Sequence, residues 1–167
     1  AAVAALHSLA LADVATRDVT RASIRRALVA LLAHFPVYRS YGCGQRSDPL
    51  IAAVAGAMDD VVPADRGTLA RLERWLGVDS LPEPAVRFQQ LSAPLAAKAV
   101  EDTAFYRYGV LLSRNEVGAD VSRFSETPAE FHAGCLERLR HFPDAMLASA
   151  THDHKRGEDV RARLAVL

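Results

Sequence analysis

Apolar residues recur at helical spacing through most of this chain. The clearest run is Ile24, Ala27, Leu28, Leu31, Leu32 and Phe35, which share one face of a helix. Thr20 stands at its N-cap, Val19 and Ile24 form the two ends of a hydrophobic staple, and Pro36 stops it. Before it, the Ala- and Leu-rich residues 2–17 predict a first helix. After it, residues 37–41 read as short and extended and residues 42–48 as a loop. Ser47 is placed to cap a third helix, with Pro49 in its first turn and its end near residue 58. Pro63 opens a fourth, where Leu69, Leu72 and Leu76 share a face and Gly77 supplies a stop. Residues 79–84 form a loop. A long helical stretch over 85–108 follows, which Pro94 must kink or split because it lacks an N–H.

The last third of the chain changes character. Thr127-Pro128-Ala129-Glu130 combines a capping box with proline at the first helical position. The helix it opens carries Phe131, Cys135, Leu139 and Phe142 along one stripe, and Pro143 ends it. Residues 146–150 have the length and composition of a strand. A final helix spans 157–167, with Glu158 and Asp159 near its positive N-terminus. The fold class is therefore mainly α. One strand makes no sheet, so residues 146–150 need partners from outside the chain. Leu167 also falls inside an apparent helix with no cap after it. Both observations lead us to expect a piece of a longer protein. The unpaired strand edge makes self-association an expected property of the isolated piece.

Composition narrows the function classes. The 167 residues include 20 Lys and Arg against 20 Asp and Glu, which disfavours a sequence-blind nucleic-acid partner. No apolar run approaches membrane-span length, and the N-terminal residues 1–15 lack the basic flank of a signal peptide. Cys43 and Cys135 make neither a disulfide framework nor a zinc pattern, so free thiols in the cytoplasm are expected. His152 and His154 have no clear third ligand; neither metal nor cofactor is expected.

Two segments carry candidate chemistry. The apolar run 146–150 leads into Thr151-His152-Asp153-His154-Lys155-Arg156. An Asp beyond a strand can face positive charge developing on a substrate, and a neighbouring His can hydrogen-bond hydroxyls. Read alone, the same residues are more simply an ordinary polar loop. The second segment is Lys98-Ala-Val-Glu101-Asp102-Thr-Ala-Phe105-Tyr106-Arg107-Tyr108. At α-helical spacing Lys98 faces Glu101 and Asp102, with Phe105 and Tyr106 one turn beyond. Carboxylates, an ammonium and ring faces are the materials of a carbohydrate site, and also of an intrahelical ion pair beside core aromatics. Lys155, Arg156, Arg161 and Arg163 lack a Gly-rich phosphate loop and read as a solvated face. Residues 115–118, Asn-Glu-Val-Gly, read as a polar turn.

Taken together, residues 35–41, 87–91, 97–108, 113–118 and 149–163 resemble the maltooligosyltrehalose synthase family, in motifs that are long, ordered and spread over nearly the whole chain. The resemblance implies the α-amylase superfamily, with a (β/α)8 catalytic barrel. It implies the activity of a (1→4)-α-D-glucan 1-α-D-glucosylmutase, which turns the reducing-end α-1,4 link of a maltooligosaccharide into an α,α-1,1 link. By the match to the superfamily's last catalytic segment, Asp153 would be the third carboxylate and His152 its hydroxyl-binding partner. Lys98, Glu101, Asp102, Tyr106, Arg107 and Lys155 would hold sugar in the pocket that retains the released glucose. Residues 1–142 would be a helical insertion and 143–167 one strand and helix of the barrel, with the rest of the parent enzyme as partner and maltooligosaccharide as substrate. The nucleophile and general acid have no match here, so the piece alone should be inactive. Ala99, Gly109, Ala119, His154 and Gly157 depart from the residues expected at those positions. Within the same superfamily a glucan-hydrolase fragment is the alternative, and outside it a non-catalytic helical interaction module.

Overall fold

The computed structural model describes residues 1–40, 48–77 and 82–167. Among them all regular structure is helical: α1 (Ala2–Ala12), α2 (Arg21–Ala33), α3 (Asp48–Ala57), α4 (Pro63–Leu76), α5 (Glu83–Ala96), a π-helix (Ala97–Ala104), α6 (Phe105–Arg107), α7 (Pro128–His141) and α8 (Glu158–Leu164). The chain divides into two compact units, Ala1–Lys98 and Ala99–Leu167. The expectations for residues 41–47, including the Ser47 cap and Cys43, and for residues 79–81 lie outside the described residues.

The first unit is a helical cluster around α2, which packs on α1, α3 and α4, while α5 closes against α1 and α4. The staple and cap expected for α2 are in place: Thr20 accepts the Ser23 N–H at 3.1 Å, and Val19 and Ile24 are both buried. The stripe Ile24, Ala27, Leu28 and Leu31 faces inward, as do Leu69, Leu72 and Leu76 of α4. Each fully buried Leu or Ile contributes about 1.5–3 kcal/mol. Phe35 sets its edge on Phe88 at 5.1 Å between ring centres. Gly77 ends α4 by donating its N–H to the Glu73 carbonyl, and a side chain there would meet that oxygen at 2.8 Å.

Among the described residues of this unit one charge is buried, and it is fully satisfied. Asp65, in the first turn of α4, accepts Arg26 Nε at 2.6 Å and Nη2 at 3.0 Å, and Ser23 Oγ at 2.7 Å. The Arg26 and Ser23 hydrogen bonds hold its carboxyl below the usual range against the opposing effect of burial.

Helix α1 is shorter than expected, ending at Ala12 rather than near residue 17. Asp13 is extended there and its carboxylate accepts the Ala15 N–H at 2.9 Å, a local bond that competes with the helix. Helix α5 runs through Pro94 instead of breaking at it. The hydrogen-bonding pattern changes three residues later, where α gives way to π over Ala97–Ala104. A π segment sheds the α-spacing on which the Lys98, Glu101 and Asp102 face was expected.

The second unit is held differently. Its capping box forms as expected: Thr127 Oγ1 accepts the Glu130 N–H at 3.3 Å, and the Glu130 carboxylate accepts the Thr127 N–H at 2.8 Å. The apolar stripe of α7 nevertheless lies open, with Phe131, Leu139 and Phe142 all exposed. The expected strand does not form. Residues 146–150 are irregular, and Met146 is 95% exposed. No second strand exists among the described residues to complete a ladder, and an unpaired strand has no stability of its own. Arg161 of α8 donates to the Ser149 carbonyl instead.

Candidate functional site

The candidate site in the second unit is built from the start of that unit and its tail. Asp102 of the π-helix pairs with Lys155, Oδ1 to Nζ at 2.6 Å, with both side chains largely shielded from water. The Asp102 hydrogen bond raises the Lys155 ammonium above its usual range against partial burial, and the Asp102, Tyr106 and Asp153 charges add to it, so the lysine stays protonated. Arg156 sits over the Tyr106 ring, its guanidinium carbon 5.6 Å from the ring centre, and donates to the Asn115 carbonyl at 3.2 Å.

The centre of this arrangement is Glu116, which is 3% exposed. Its carboxylate accepts the backbone N–H groups of Lys155 at 2.7 Å, Arg156 at 2.9 Å and its own neighbour Val117 at 3.2 Å. Burial alone would push this carboxyl up. The three N–H bonds and the nearby His154 outweigh burial and hold it below the usual range. Gly118, at φ 77°, lets the chain turn immediately after it, closed by the Ala119 N–H to the Glu116 carbonyl at 2.9 Å. Asn115, also buried, donates to the carbonyls of Tyr108 and Phe105 and ties this turn to the end of α6.

The loop carrying the expected catalytic pair is a closed turn. His154 N–H donates to the Thr151 carbonyl at 3.1 Å, and His154 Nδ1 accepts the Thr151 N–H at 2.8 Å. That acceptor role places the proton of a neutral His154 on Nε2. His152 and Asp153 occupy the middle of the turn, 90% and 68% exposed, with Nε2 and Oδ1 3.5 Å apart. Such an exposed pair contributes little to stability, and both groups remain accessible.

The structure therefore brings Asp102, Tyr106 and Lys155 together, and presents His152 and Asp153 on the same loop as Lys155. Glu101 is half-buried within the π-helix and Arg107 is exposed at the end of α6. Lys98 is the last residue of the other unit and is exposed. Two participants, Glu116 and Arg156, were not singled out by sequence as site residues. Glu116 read as part of a polar turn, because nothing in its neighbours signals that backbone groups about forty positions away would bury it. Cys135 is half-buried beside Arg138. No group of three metal-ligating side chains occurs among the described residues, and no described helix is long and apolar enough to cross a membrane.

The arrangement gathers two accessible hydrogen-bonding groups at a turn tip, a partly shielded ion pair, and a ring face capped by a guanidinium. No protein-family model matches the chain. Proteins of two strains of Mycobacterium tuberculosis named "Putative maltooligosyl trehalose synthase" are 55% identical to it over 85 residues, which is 51% of this chain and 11% of theirs. The solved structure of maltooligosyltrehalose synthase from Arthrobacter ramosus matches with a TM-score of 0.77 and 42% identity, over 84% of this chain and 18% of that one. A mutant of the same enzyme matches equally well, over 85% of this chain. The chain thus spans between a tenth and a fifth of the length of these relatives. Over 51–85% of its own length, it is homologous to part of maltooligosyltrehalose synthase.

Proposed function

We propose that this chain is a segment of a maltooligosyltrehalose synthase and supplies part of its glucan site. The observation that carries this reading is the 42% identity to the Arthrobacter ramosus synthase across 84% of the chain. The parent reaction isomerises the reducing-end α-1,4 glucosidic bond to α,α-1,1 without net loss of the glucose. In the retaining scheme a nucleophilic carboxylate elsewhere in the parent takes the glycosyl group. A carboxylic acid, also elsewhere, gives its proton to the departing oxygen. The freed glucose then attacks the glycosyl-enzyme with its anomeric hydroxyl, the bond to the nucleophilic carboxylate breaks, and the hydroxyl's proton passes to the conjugate base of the acid.

Within that scheme each group of the tail has a task. Asp153 faces the positive charge that develops at the anomeric carbon and holds adjacent hydroxyls. His152 donates to a hydroxyl beside it. The Asp102–Lys155 pair and the Tyr106 ring wall the pocket that keeps the glucose from escaping and water from entering. Glu101, Arg107 and Lys98 belong to the same segment as secondary sugar contacts. The division into a helical insertion over 1–142 and a barrel strand and helix over 143–167 belongs to this reading. In the parent, residues 146–150 would find the strand partners that the described residues do not supply. The open stripe of Phe131, Leu139 and Phe142 supports packing against the rest of the parent, as does the exposure of Met146. The reading places the reaction in the cytoplasm.

The test is incubation with maltopentaose. The full-length synthase should form trehalose-ended product, while the 167-residue chain alone should form none. Product from the isolated chain would contradict the reading, because the nucleophile and acid would then have to be among its own residues.

A further inference from the structure

We propose that Glu116 is a positioning residue for the glucan site, holding the His152–Asp153 turn by its backbone from beneath; this rests on the function proposed above. Three observations carry it. Glu116 is a buried carboxylate whose two oxygens are taken up by the N–H groups of consecutive residues, Lys155 by Oε1 at 2.7 Å and Arg156 by Oε2 at 2.9 Å. Those residues follow directly on the turn 151–154, whose other closure is the Thr151–His154 bond at 2.8 Å. The turn is thus closed within itself and clamped on its C-terminal flank, while its tip, His152 and Asp153, stays accessible.

The two clamps act on different things. The His154 ring closes the turn within itself and sets its shape. Glu116 attaches the turn to a separate stretch of chain, the one that Asn115 ties to α6 just after Tyr106. This carboxylate thereby helps set the spacing between the Asp153 loop and the Asp102–Tyr106 face, beside the Asp102–Lys155 pair and the Arg156 bond to the Asn115 carbonyl. A carboxylate suits this task because it only accepts, and two adjacent N–H groups need two acceptor oxygens. Glutamine offers one oxygen and turns an amide N–H2 towards the second donor. Glu116→Gln therefore preserves size while breaking half of the clamp. Misplacing a reacting group by about 1 Å costs about 100-fold in rate.

The experiment uses the full-length synthase with maltopentaose, comparing wild type, Glu116→Gln and Glu116→Ala. Leu72→Ala, a core change in the first unit, serves as a destabilised control. Both Glu116 variants should lower kcat by about 100-fold while KM moves less than about 3-fold, since the clamp acts on geometry at the reacting centre. Amide exchange at Lys155 and Arg156 should accelerate at least about 10-fold in these variants. The Leu72→Ala control should keep its kcat at temperatures where it is folded. The proposal is overturned if Glu116→Gln keeps kcat within about 3-fold of wild type. It is equally overturned if the Lys155 and Arg156 amides stay protected, or if kcat falls only in step with the unfolded fraction. A wild-type protein that makes no trehalose-ended product would defeat the proposed function instead, and the exchange measurement would then decide the clamp by itself.

Discussion

In Ala1–Lys98 the least exposed side chains are mostly those of Leu6, Ile24, Leu31, Leu50, Leu69, Leu72 and Phe88, whereas in Ala99–Leu167 Phe105 is joined by two polar ones, Asn115 and Glu116. The first unit buries its apolar stripes and, among its described residues, one carboxylate, Asp65. The second leaves most of its apolar side chains in water and is organised around a carboxylate. A helical cluster of the first kind is stabilised by area removed from water and tolerates changes at its surface. A unit of the second kind draws its order from a few directed bonds, and it keeps reactive side chains accessible because little packs over them.

The comparison breaks first under core truncation. Leu72→Ala in the first unit should cost about 2–5 kcal/mol in urea unfolding, because the cavity adds to the lost transfer energy. An equal cost for Leu139→Ala of α7, which is 63% exposed, would erase the contrast. The next effect in size belongs to Glu116. Glu116→Ala leaves the Lys155 and Arg156 N–H groups without their acceptor, and should destabilise the second unit by about 1–3 kcal/mol, read from local amide exchange. The core amides of α2 should be unaffected.

Acid sharpens the same contrast. The native Glu116 carboxyl lies below its ordinary range, so its stabilisation is complete above that range and is lost as pH falls through the lowered native value. The groups facing it are the Lys155, Arg156 and Val117 N–H groups and His154. Protection at Lys155 and Arg156 should therefore decline as the pH drops below the usual glutamate range. Asp65 is shifted in the same direction, so the first unit loses part of its support too, but its buried leucines do not titrate. Loss of α2 protection before that of Lys155 would contradict the account. The smallest effect should come from α7: Leu139→Ala on the isolated chain should change stability by less than about 0.5 kcal/mol, by thermal or urea melting.

What the sequence made legible follows the same line. The staple and cap of α2, the Leu face of α4 between Pro63 and Gly77, and the Thr127 capping box are local patterns, and each forms as read. The early end of α1 was missed because Asp13, a polar residue in an Ala-rich run, makes a bond to Ala15 that periodicity does not register. The π-helix was missed because the change in hydrogen bonding appears after Pro94 and not at it. The strand character of residues 146–150 is a property of composition, and no strand occurs among the described residues to pair with it. In the site, Asp102 and Tyr106 are singled out by residue type and Lys155 by the family resemblance, and the three come together. Glu116 was hidden because its role depends on partners 39 and 40 residues away and on their backbones, which carry no side-chain signal.

The most direct test of the central claim is the rate at which full-length synthase bearing Asp153→Asn converts maltopentaose to trehalose-ended product. Asparagine keeps the size and removes the charge that, in the function proposed, would face the anomeric carbon. The account predicts a fall in kcat of at least about 100-fold with the protein still folded. A variant that retains kcat within a few-fold of wild type would contradict it.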